Sequence, residues 1–300
     1  MRLINTRTLE MKEFVGQIPP YAILSHTWGE DEVTLADYQA QEKRVKQDGF
    51  RKIQLTCQQA VEDGLEWAWV DTCCIDKSSS AELSEAINSM FRWYLSSAVC
   101  YAYLSDWPQL SKVDNSDKKL EEKFGGCRWF TRGWTLQELI APPNLRFYAD
   151  QSFTTDQSSC WQLIGDKKHL LSILEKVTKI PQHVLGLEDP VVLSRCTIAA
   201  RMSWAAGRKT TREEDMAYCL MGLFGINMPM LYGEGRRAFL RLQDEIIKVY
   251  DDWTLFAWRS FDDRQSSRGI LAVSPDEFAG SGNIRLVSNC NESEQPVTDG

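Results

Sequence analysis

The chain has 300 residues, 43% of them hydrophobic and 25% charged, an ordinary globular composition with enough apolar material for a large core. A net charge of −8 without a long basic run argues against a general nucleic-acid binder. The N-terminus lacks the apolar segment of a signal peptide, and the longest apolar stretch, residues 219–231, is too short to cross a bilayer. We therefore expect a soluble, cytoplasmic protein without membrane contact.

The nine cysteines and three histidines are scattered along the chain. None of them has the spacing of a zinc site, and the odd number of cysteines lacks a disulfide framework. The sequence therefore predicts reduced thiols and no metal ligands.

Residues 21–150 alternate strand-like and helix-like patterns. Short apolar runs predict strands at Tyr21–Ser25, Trp67–Ile75, Val99–Leu104 and Leu145–Ala149. Helical spacing predicts helices over residues 50–64, from Ser79 to Tyr94, and over Thr135–Ala141 before two prolines. Ser79 with Glu82 forms a capping-box pattern, and the charged segment Ser111–Lys123 predicts an exposed loop.

This alternation is typical of a mostly parallel sheet with helices on both faces. In such sheets, ligands bind outside the carboxyl ends of the strands. The polar residues that follow each predicted strand are therefore the candidate site residues, and they fall in four segments: 25–31, 71–77, 105–106 and 129–138.

Beyond residue 150 the helical signals dominate, and we expect a helical extension over 151–260 packed on an α/β core over 1–150. Its predicted helices are Leu163–Val177, Val191–Ala206, Glu213–Phe224 and Arg236–Tyr250, and Trp253–Trp258 is predicted as a returning strand. Residues 261–300, rich in Ser, Asp, Asn and Gly, are expected to be a loosely ordered tail or linker.

Four blocks resemble the heterokaryon-incompatibility (HET) domain of filamentous fungi. They are YAILSHTWGEDEV from Tyr21, WVDTCCIDKSSSAELSEAINSMFRWY from Trp69, RWFTRGWTLQELIAP from Arg128 and YCLMGLFGINMPMLYGEG from Tyr218. These long and compositionally unusual strings span most of residues 1–260.

The HET domain is in turn similar to the TIR domain, which implies a TIR-like (flavodoxin-like) fold. The order of the parts carries this similarity: SHTWGED after the first strand, EAINSM on the following long helix, and Trp134-Thr-Leu-Gln-Glu138 after the third strand. In TIR enzymes the glutamate at the last of these positions is the catalytic residue of NAD cleavage. The resemblance thus implies NAD⁺ as substrate, without a prosthetic group.

Cleavage of the nicotinamide–ribose bond needs a carboxylate beside the ribose, an aromatic wall for the ring and donors for the pyrophosphate. The resemblance implies Glu138 as the carboxylate and Trp134 as the wall. The predicted binding residues are those of the first turn and the second strand's end, together with one arginine: Ser25, His26, Trp28, Gly29, Asp71, Asp76 and Arg132.

Several of these residues also have a purely structural interpretation. Glu138 lies three residues after Thr135 and completes a capping-box pattern, and His26 is equally typical of a histidine bonded to backbone. Glu82 and Glu85 are the rival carboxylates if Glu138 is structural. The turn Tyr232–Arg236 lacks phosphate-loop spacing and is interpreted as structural.

Two functions of different classes follow from the resemblance. The first is a NAD glycohydrolase that becomes active on self-association and kills incompatible fungal cells, followed in the full-length protein by a sensor region. The alternative is a non-enzymatic adaptor that signals by oligomerisation, favoured by the eleven tryptophans. A different nucleotide substrate or product is a third hypothesis, with nucleic acid disfavoured by the acidic charge.

Overall fold

A mixed sheet of seven strands forms the centre of the molecule in the computed structural model, which describes residues 1–40, 48–108, 117–150, 161–186, 191–260 and 269–285. The strands, in chain order, are Arg2–Asn5 (β1), Met11–Glu13 (β2), Tyr21–His26 (β3), Trp67–Trp69 (β4), Val99–Tyr103 (β5), Leu145–Asp150 (β6) and Trp161–Asp166 (β7). Their order across the sheet is β2-β1-β4-β3-β5-β6-β7.

The four central strands are parallel, as the sequence predicts. β3 pairs in parallel with β4 on one side and with β5 on the other, and β5 pairs in parallel with β6. Both β3 and β5 are buried along their whole length, which explains why they read as continuous apolar runs. Because the chain steps from β3 to β4 and then crosses to β5, a topological switch lies between β3 and β5.

The helices flank this sheet and form most of the second half of the chain. In chain order they are Leu35–Gln39 (α1), Asp48–Glu62 (α2), Asp71–Cys74 (α3), Ser80–Leu95 (α4), Asp117–Gly126 (α5), Thr135–Ile140 (α6), Leu171–Thr178 (α7), Gln182–Leu185 (α8), Val191–Ser194 (α9), Ile198–Ser203 (α10), Asp215–Tyr218 (α11), Met221–Phe224 (α12) and Arg237–Val249 (α13). Short 3₁₀ turns cover Arg128–Thr131, Trp253–Phe256 and Pro275–Phe278.

Two apolar clusters hold these layers together. The smaller one joins Ala60 of α2 to the strand residues Ala22, Val99, Tyr101 and Tyr148. The larger one is continuous from β1 to the buried Phe278, and includes residues of the sheet, of α4 and of the helices after residue 190. The C-terminal helices therefore share one core with the sheet.

The structure confirms the predicted strands β3, β5 and β6, the helices α2, α4 and α6, and the long amphipathic helix α13. The second predicted strand is wrong beyond Trp69, because Asp71–Cys74 coils into the short helix α3. A short apolar run fits a buried strand and a buried helical turn equally well, so periodicity alone does not separate them.

The predicted helix Leu163–Val177 is wrong in its first half. Residues Trp161–Asp166 instead pair antiparallel with the edge of β6, and the helix begins only at Leu171. Asp166 accepts a hydrogen bond from the His169 N–H at 3.0 Å and closes the turn between them. Pairing with β6 satisfies the backbone N–H and C=O groups of this segment. The spacing of apolar residues within the segment does not predict that pairing.

Other differences are smaller. The predicted loop Ser111–Lys123 becomes the helix α5 from Asp117 onward, because Phe124 packs into an aromatic cluster of the core, and residues 111–116 lie outside the described part of the chain. The predicted strand Trp253–Trp258 is a 3₁₀ turn that Asp252 caps.

The two remaining predicted helices, Val191–Ala206 and Glu213–Phe224, are each divided into two short ones. The first is interrupted before Thr197, whose hydroxyl accepts from the Ala200 N–H and caps a new helix. The β1–β2 hairpin at the N-terminus was not predicted.

Part of the expected loose tail packs on the core. The buried side chain of Gln243 on α13 accepts from the Ala272 N–H at 3.0 Å and donates to the Ala272 carbonyl oxygen at 2.8 Å. Phe278 is also buried. Residues 261–268 and 286–300 of the same prediction lie outside the described part of the chain.

Candidate functional site

A cavity of about 300 Å³ lies beyond the carboxyl ends of β3 and β4, beside the topological switch. Its walls come from the loops after β3 and β4, from α4, from residues 132–138, and from the segment 211–232 of the C-terminal helices. The described lining residues are His26, Thr27, Trp28, Asp71, Ile75, Lys77, Leu83, Ile87, Met90, Tyr94, Arg132, Trp134, Thr135, Glu138, Thr211, Arg212, Asp215 and Tyr232.

Glu138 reaches this cavity from the short helix α6 and is almost completely buried. Its carboxyl accepts a short hydrogen bond from the hydroxyl of Ser25 on β3. The Ser25 hydroxyl in turn accepts from the indole N–H of Trp129 at 2.8 Å. Two side chains from other elements therefore fix the position of the carboxyl group.

The capping-box interpretation of Glu138 is wrong. The Thr135 hydroxyl donates to the carbonyl oxygens of Trp129 and, at 2.9 Å, of Arg132, and α6 has no side-chain cap at its start. The carboxyl group of Glu138 points instead to Ser25. Helix capping therefore does not account for a glutamate at this position.

Burial strongly favours the protonated form of Glu138. Desolvation raises the pKa of this carboxyl from its ordinary value of 4.5 to about 8, although Ser25, Tyr94 and the buried Arg208 act in the opposite direction. The group is therefore mostly neutral at pH 7. A cation placed beside it would favour the carboxylate again.

His26 lies in the same wall, between two carboxylates. Its Nε2 is 3.6 Å from Glu32 and its Nδ1 is 3.8 Å from Asp71, too far for hydrogen bonds. Both ring nitrogens are buried and have no hydrogen-bond partner among the described residues, so a bond to backbone does not explain this histidine. Burial tends to raise the pKa of Glu32, but His26, Lys52 and the Gly29 N–H together lower it to about 2.

Aromatic rings form much of the cavity wall. Trp28 is half-exposed at the rim, where its indole N–H donates to Asp71 at 2.8 Å. Trp134 and Tyr232 line the cavity from the core and from the C-terminal helices, and the buried Tyr94 lies beside Glu138. Flat apolar surfaces of this kind suit a planar ring.

Three cationic side chains also line the cavity, and each is held by a neutral group. The Lys77 ammonium lies 3.5 Å from the centre of the Trp28 ring, and the Arg212 guanidinium 4.4 Å from that of Tyr232. Arg132 donates to the Thr211 hydroxyl at 3.1 Å. Among the lining residues, these cations lie with the carboxylates of Asp71 and Asp215 and with the mostly protonated Glu138.

Six of the nine predicted site residues line the cavity, and the other three lie outside its lining. His26, Trp28, Asp71, Arg132, Trp134 and Glu138 line the cavity. Ser25 lies behind the wall, bonded to Glu138. The N–H of Gly29 donates to Glu32 at 2.6 Å, Asp76 accepts from the Ser78 N–H at 2.9 Å, and neither residue is among those that line the cavity.

The rival carboxylates lie elsewhere. Glu82 pairs with Arg2 of β1 and accepts from the Asp76 N–H at 2.7 Å, and Glu85 is exposed on α4. The first half of the predicted capping box is present, since Ser79 accepts from the Glu82 N–H, but the Glu82 side chain does not return the bond.

Sequence reasoning missed the wall contributed by the C-terminal helices. Tyr232 belongs to the glycine-rich turn that was interpreted as structural, and its hydroxyl donates to Asp215 at 3.0 Å. Glu214 holds that turn by accepting from the backbone N–H groups of Gly233 and Gly235. The turn is indeed structural, but it also places a ring in the cavity wall.

Backbone pairing fixes this wall to the loop that precedes Glu138. The Lys209 N–H donates to the Thr131 carbonyl at 2.7 Å, and the Gly133 N–H donates to the Lys209 carbonyl at 2.9 Å. A Cβ atom at Gly133 would lie only 2.5 Å from Thr210 Cγ2, so a larger residue would have to displace the Thr210 side chain. These contacts fix the position of the C-terminal wall relative to the core wall of the cavity.

None of the helices in the described ranges combines the length and apolar character needed to cross a membrane.

Comparison with known proteins supports the resemblance noted in the sequence. Residues 21–121 match the family model of the heterokaryon incompatibility protein (HET). The chain is also 45% identical over 260 residues to the vegetative incompatibility protein HET-E-1 of Podospora anserina. That alignment covers 86% of this chain but only 18% of the relative, so the chain spans less than a fifth of its length.

No solved structure matches the chain. The identity to HET-E-1 nevertheless extends well beyond the family match and, at 86% coverage, includes most of the elements that form the cavity. On these grounds the chain belongs to the heterokaryon incompatibility (HET) family.

Proposed function

We propose that this chain is a NAD⁺ glycohydrolase that acts as the cell-death effector of vegetative incompatibility. The observation that carries the proposal is the burial of one carboxyl group, Glu138, in a cavity walled by aromatic rings and edged by cations. This combination matches the three parts of the substrate: a ribose, flat rings and a pyrophosphate. The similarity to the vegetative incompatibility protein HET-E-1 supports the biological setting.

The reaction breaks the bond between the ribose C1′ and the nicotinamide nitrogen. The bonding electrons stay on that nitrogen, so the cationic ring leaves as neutral nicotinamide without needing an acid. Water adds to C1′ and releases one proton, and ADP-ribose is the other product. The transition state resembles an oxocarbenium ion, as in glycoside hydrolysis.

In this scheme Glu138 stabilises the developing positive charge on the ribose and orients its hydroxyls. The nicotinamide ring carries a positive charge before cleavage, and that charge lowers the pKa of the neighbouring carboxyl. Substrate binding would thus convert the neutral carboxyl group of Glu138 into the carboxylate that the reaction needs. Ser25 and Trp129 hold the group in place while its charge changes.

The proposed relation to TIR domains rests on topology as well as sequence. The four parallel strands follow the order β4-β3-β5-β6, which is the arrangement of flavodoxin-type sheets, and the cavity lies at the switch between β3 and β5. Self-association is the proposed trigger, as it is in TIR enzymes. Clustering would then set the activity without any change in the residues of the cavity.

The reaction itself is tested by incubating purified protein with NAD⁺, both dilute and artificially clustered on a bivalent scaffold. Chromatography should show nicotinamide and ADP-ribose appearing in equal amounts, faster in the clustered sample. If NAD⁺ stays intact at every concentration and degree of clustering, this chain is not a glycohydrolase.

A non-enzymatic assembly module is the second candidate. Exposed apolar side chains favour it, since Trp253 is 77% exposed and lies against Phe256, with ring centres 6.1 Å apart. Clustering that kills cells while their NAD⁺ content stays constant would support this function against the first.

A further inference from the structure

The cavity has a second half that the α/β core does not supply. Thr211, Arg212, Asp215 and Tyr232 all lie more than 70 residues beyond Glu138, yet they line the same cavity. The wall they form faces the core residues Arg132 and Trp134, which belong to the loop and turn that lead to α6.

We infer that this second half is a diphosphate clamp in which Arg212, together with Arg132, selects a dinucleotide over a nucleoside. The inference rests on the proposed function, because it assigns the part of NAD⁺ that lies farthest from the bond that breaks. Arg212 is the residue that sets this selectivity, and Glu138 remains the residue at the reacting carbon.

The geometry of Arg212 is suited to this role. Its guanidinium lies over the Tyr232 ring at 4.4 Å and the side chain is exposed, so its N–H donors stay accessible. A planar guanidinium recognises phosphate oxygens through paired hydrogen bonds. The Tyr232 hydroxyl donates to Asp215 at 3.0 Å, so the ring beneath Arg212 is itself anchored.

Arg132 approaches the same space from the other side. It donates to the hydroxyl of Thr211 at 3.1 Å, and Thr211 is the residue next to Arg212. The two arginines therefore lie close together where the core meets the C-terminal helices. The backbone bonds of Lys209 to Thr131 and Gly133 hold this join. Two guanidinium groups that line one cavity match the two charged phosphate groups of a pyrophosphate, whereas a neutral sugar offers them no charge.

The placement also fits the depth of the cavity. Its inner part is walled by Glu138 and by apolar side chains of α4, among them Ile87 and Met90, which suit a ring and a ribose. Arg212 is exposed at the mouth. A dinucleotide whose nicotinamide end occupies the inner part would therefore carry its diphosphate past the two arginines.

The first test is binding of ADP-ribose, measured calorimetrically on the whole chain at low and moderate salt. Arg212→Gln should weaken this binding about 10-fold or more, as expected for one charge-assisted contact to phosphate, and should reduce its salt dependence. The matched control is Arg236→Gln, which removes another exposed arginine, one that pairs with Glu213 and does not line the cavity. It should leave the affinity unchanged.

The second test compares NAD⁺ with nicotinamide riboside, which lacks phosphate. Arg212→Gln should raise the KM for NAD⁺ about 10-fold at similar kcat and leave kcat/KM for the riboside unchanged. Unchanged ADP-ribose affinity and unchanged KM for NAD⁺ in this variant would overturn the clamp while leaving the glycohydrolase intact. Arg212-dependent binding without any nicotinamide release would instead refute the proposed reaction and support the clamp. A wild-type chain that neither binds ADP-ribose nor cleaves NAD⁺ would refute both.

Discussion

Replacing Glu138 by glutamine should change how the stability of the protein depends on pH. In the folded chain burial raises the pKa of this carboxyl to about 8, whereas in the unfolded chain the group titrates near its ordinary value of 4.5. The folded state therefore binds the proton more tightly, so the contribution of Glu138 to stability is lost as the pH rises from about 4.5 to about 8. Glutamine keeps the shape and has no such dependence.

The magnitude follows from these two values. A tenfold difference in a proton affinity corresponds to about 1.4 kcal/mol, so the free energy of unfolding of the wild type should fall by about 2 to 3 kcal/mol relative to Glu138→Gln between pH 6 and pH 9. The other titrating groups are common to both proteins and cancel in this comparison, provided that the substitution leaves their surroundings unchanged.

Urea denaturation followed by tryptophan fluorescence, at constant ionic strength and half-unit steps of pH, measures this difference. Glu85→Gln, at an exposed position of α4, is the control and should track the wild type at every pH. If the free energy of unfolding of the wild type does not fall relative to that of Glu138→Gln as the pH rises from 6 to 9, the carboxyl is not the neutral buried group described above.

Three further outcomes are expected. Gly133→Ala should lower the free energy of unfolding by about 1 to 3 kcal/mol in urea titrations, because its Cβ would collide with Thr210. Gly126→Ala is the control and should have a far smaller effect, because its Cβ would lie in open space. Equal effects of the two substitutions would contradict the close approach at Gly133. Lys167→Met should lower the free energy of unfolding by about 2 kcal/mol, because the buried ammonium donates to three carbonyl oxygens at the end of α6. An unchanged midpoint in the urea titration would mean that water takes the place of the ammonium at these oxygens. The value of kcat/KM for NAD⁺ should rise with pH up to about 8, as Glu138 of the free protein ionises, and a profile that is flat from pH 6 to 9 would assign catalysis to another group.

Much of the α/β core was predictable because its signals are local. The buried runs of β3 and β5 and the apolar stripe of α4 follow from residue spacing alone. The strand order along the chain then predicts that loops after β3 and β5 meet at one edge of the sheet. That is why Glu138 and the turn after Ser25 could be expected in the same region.

The rest depends on pairings that spacing does not encode. β7 forms because the edge of β6 is available, and nothing within Trp161–Asp166 specifies that partner. Arg212 and Tyr232 reach the cavity because the backbone of Lys209 pairs with the loop around Gly133. A lone arginine and a glycine-rich turn carry no signal of a site until that contact is known.

Nicotinamide release by Glu138→Gln is the most direct measurement of the central claim. Wild type, Glu138→Gln and Glu85→Gln are compared at pH 8 and equal clustering, with ADP-ribose binding as the check that the cavity is intact. The account predicts a loss of at least about 100-fold in the Glu138→Gln rate, with ADP-ribose still bound and Glu85→Gln fully active. Release at the wild-type rate by Glu138→Gln would contradict it.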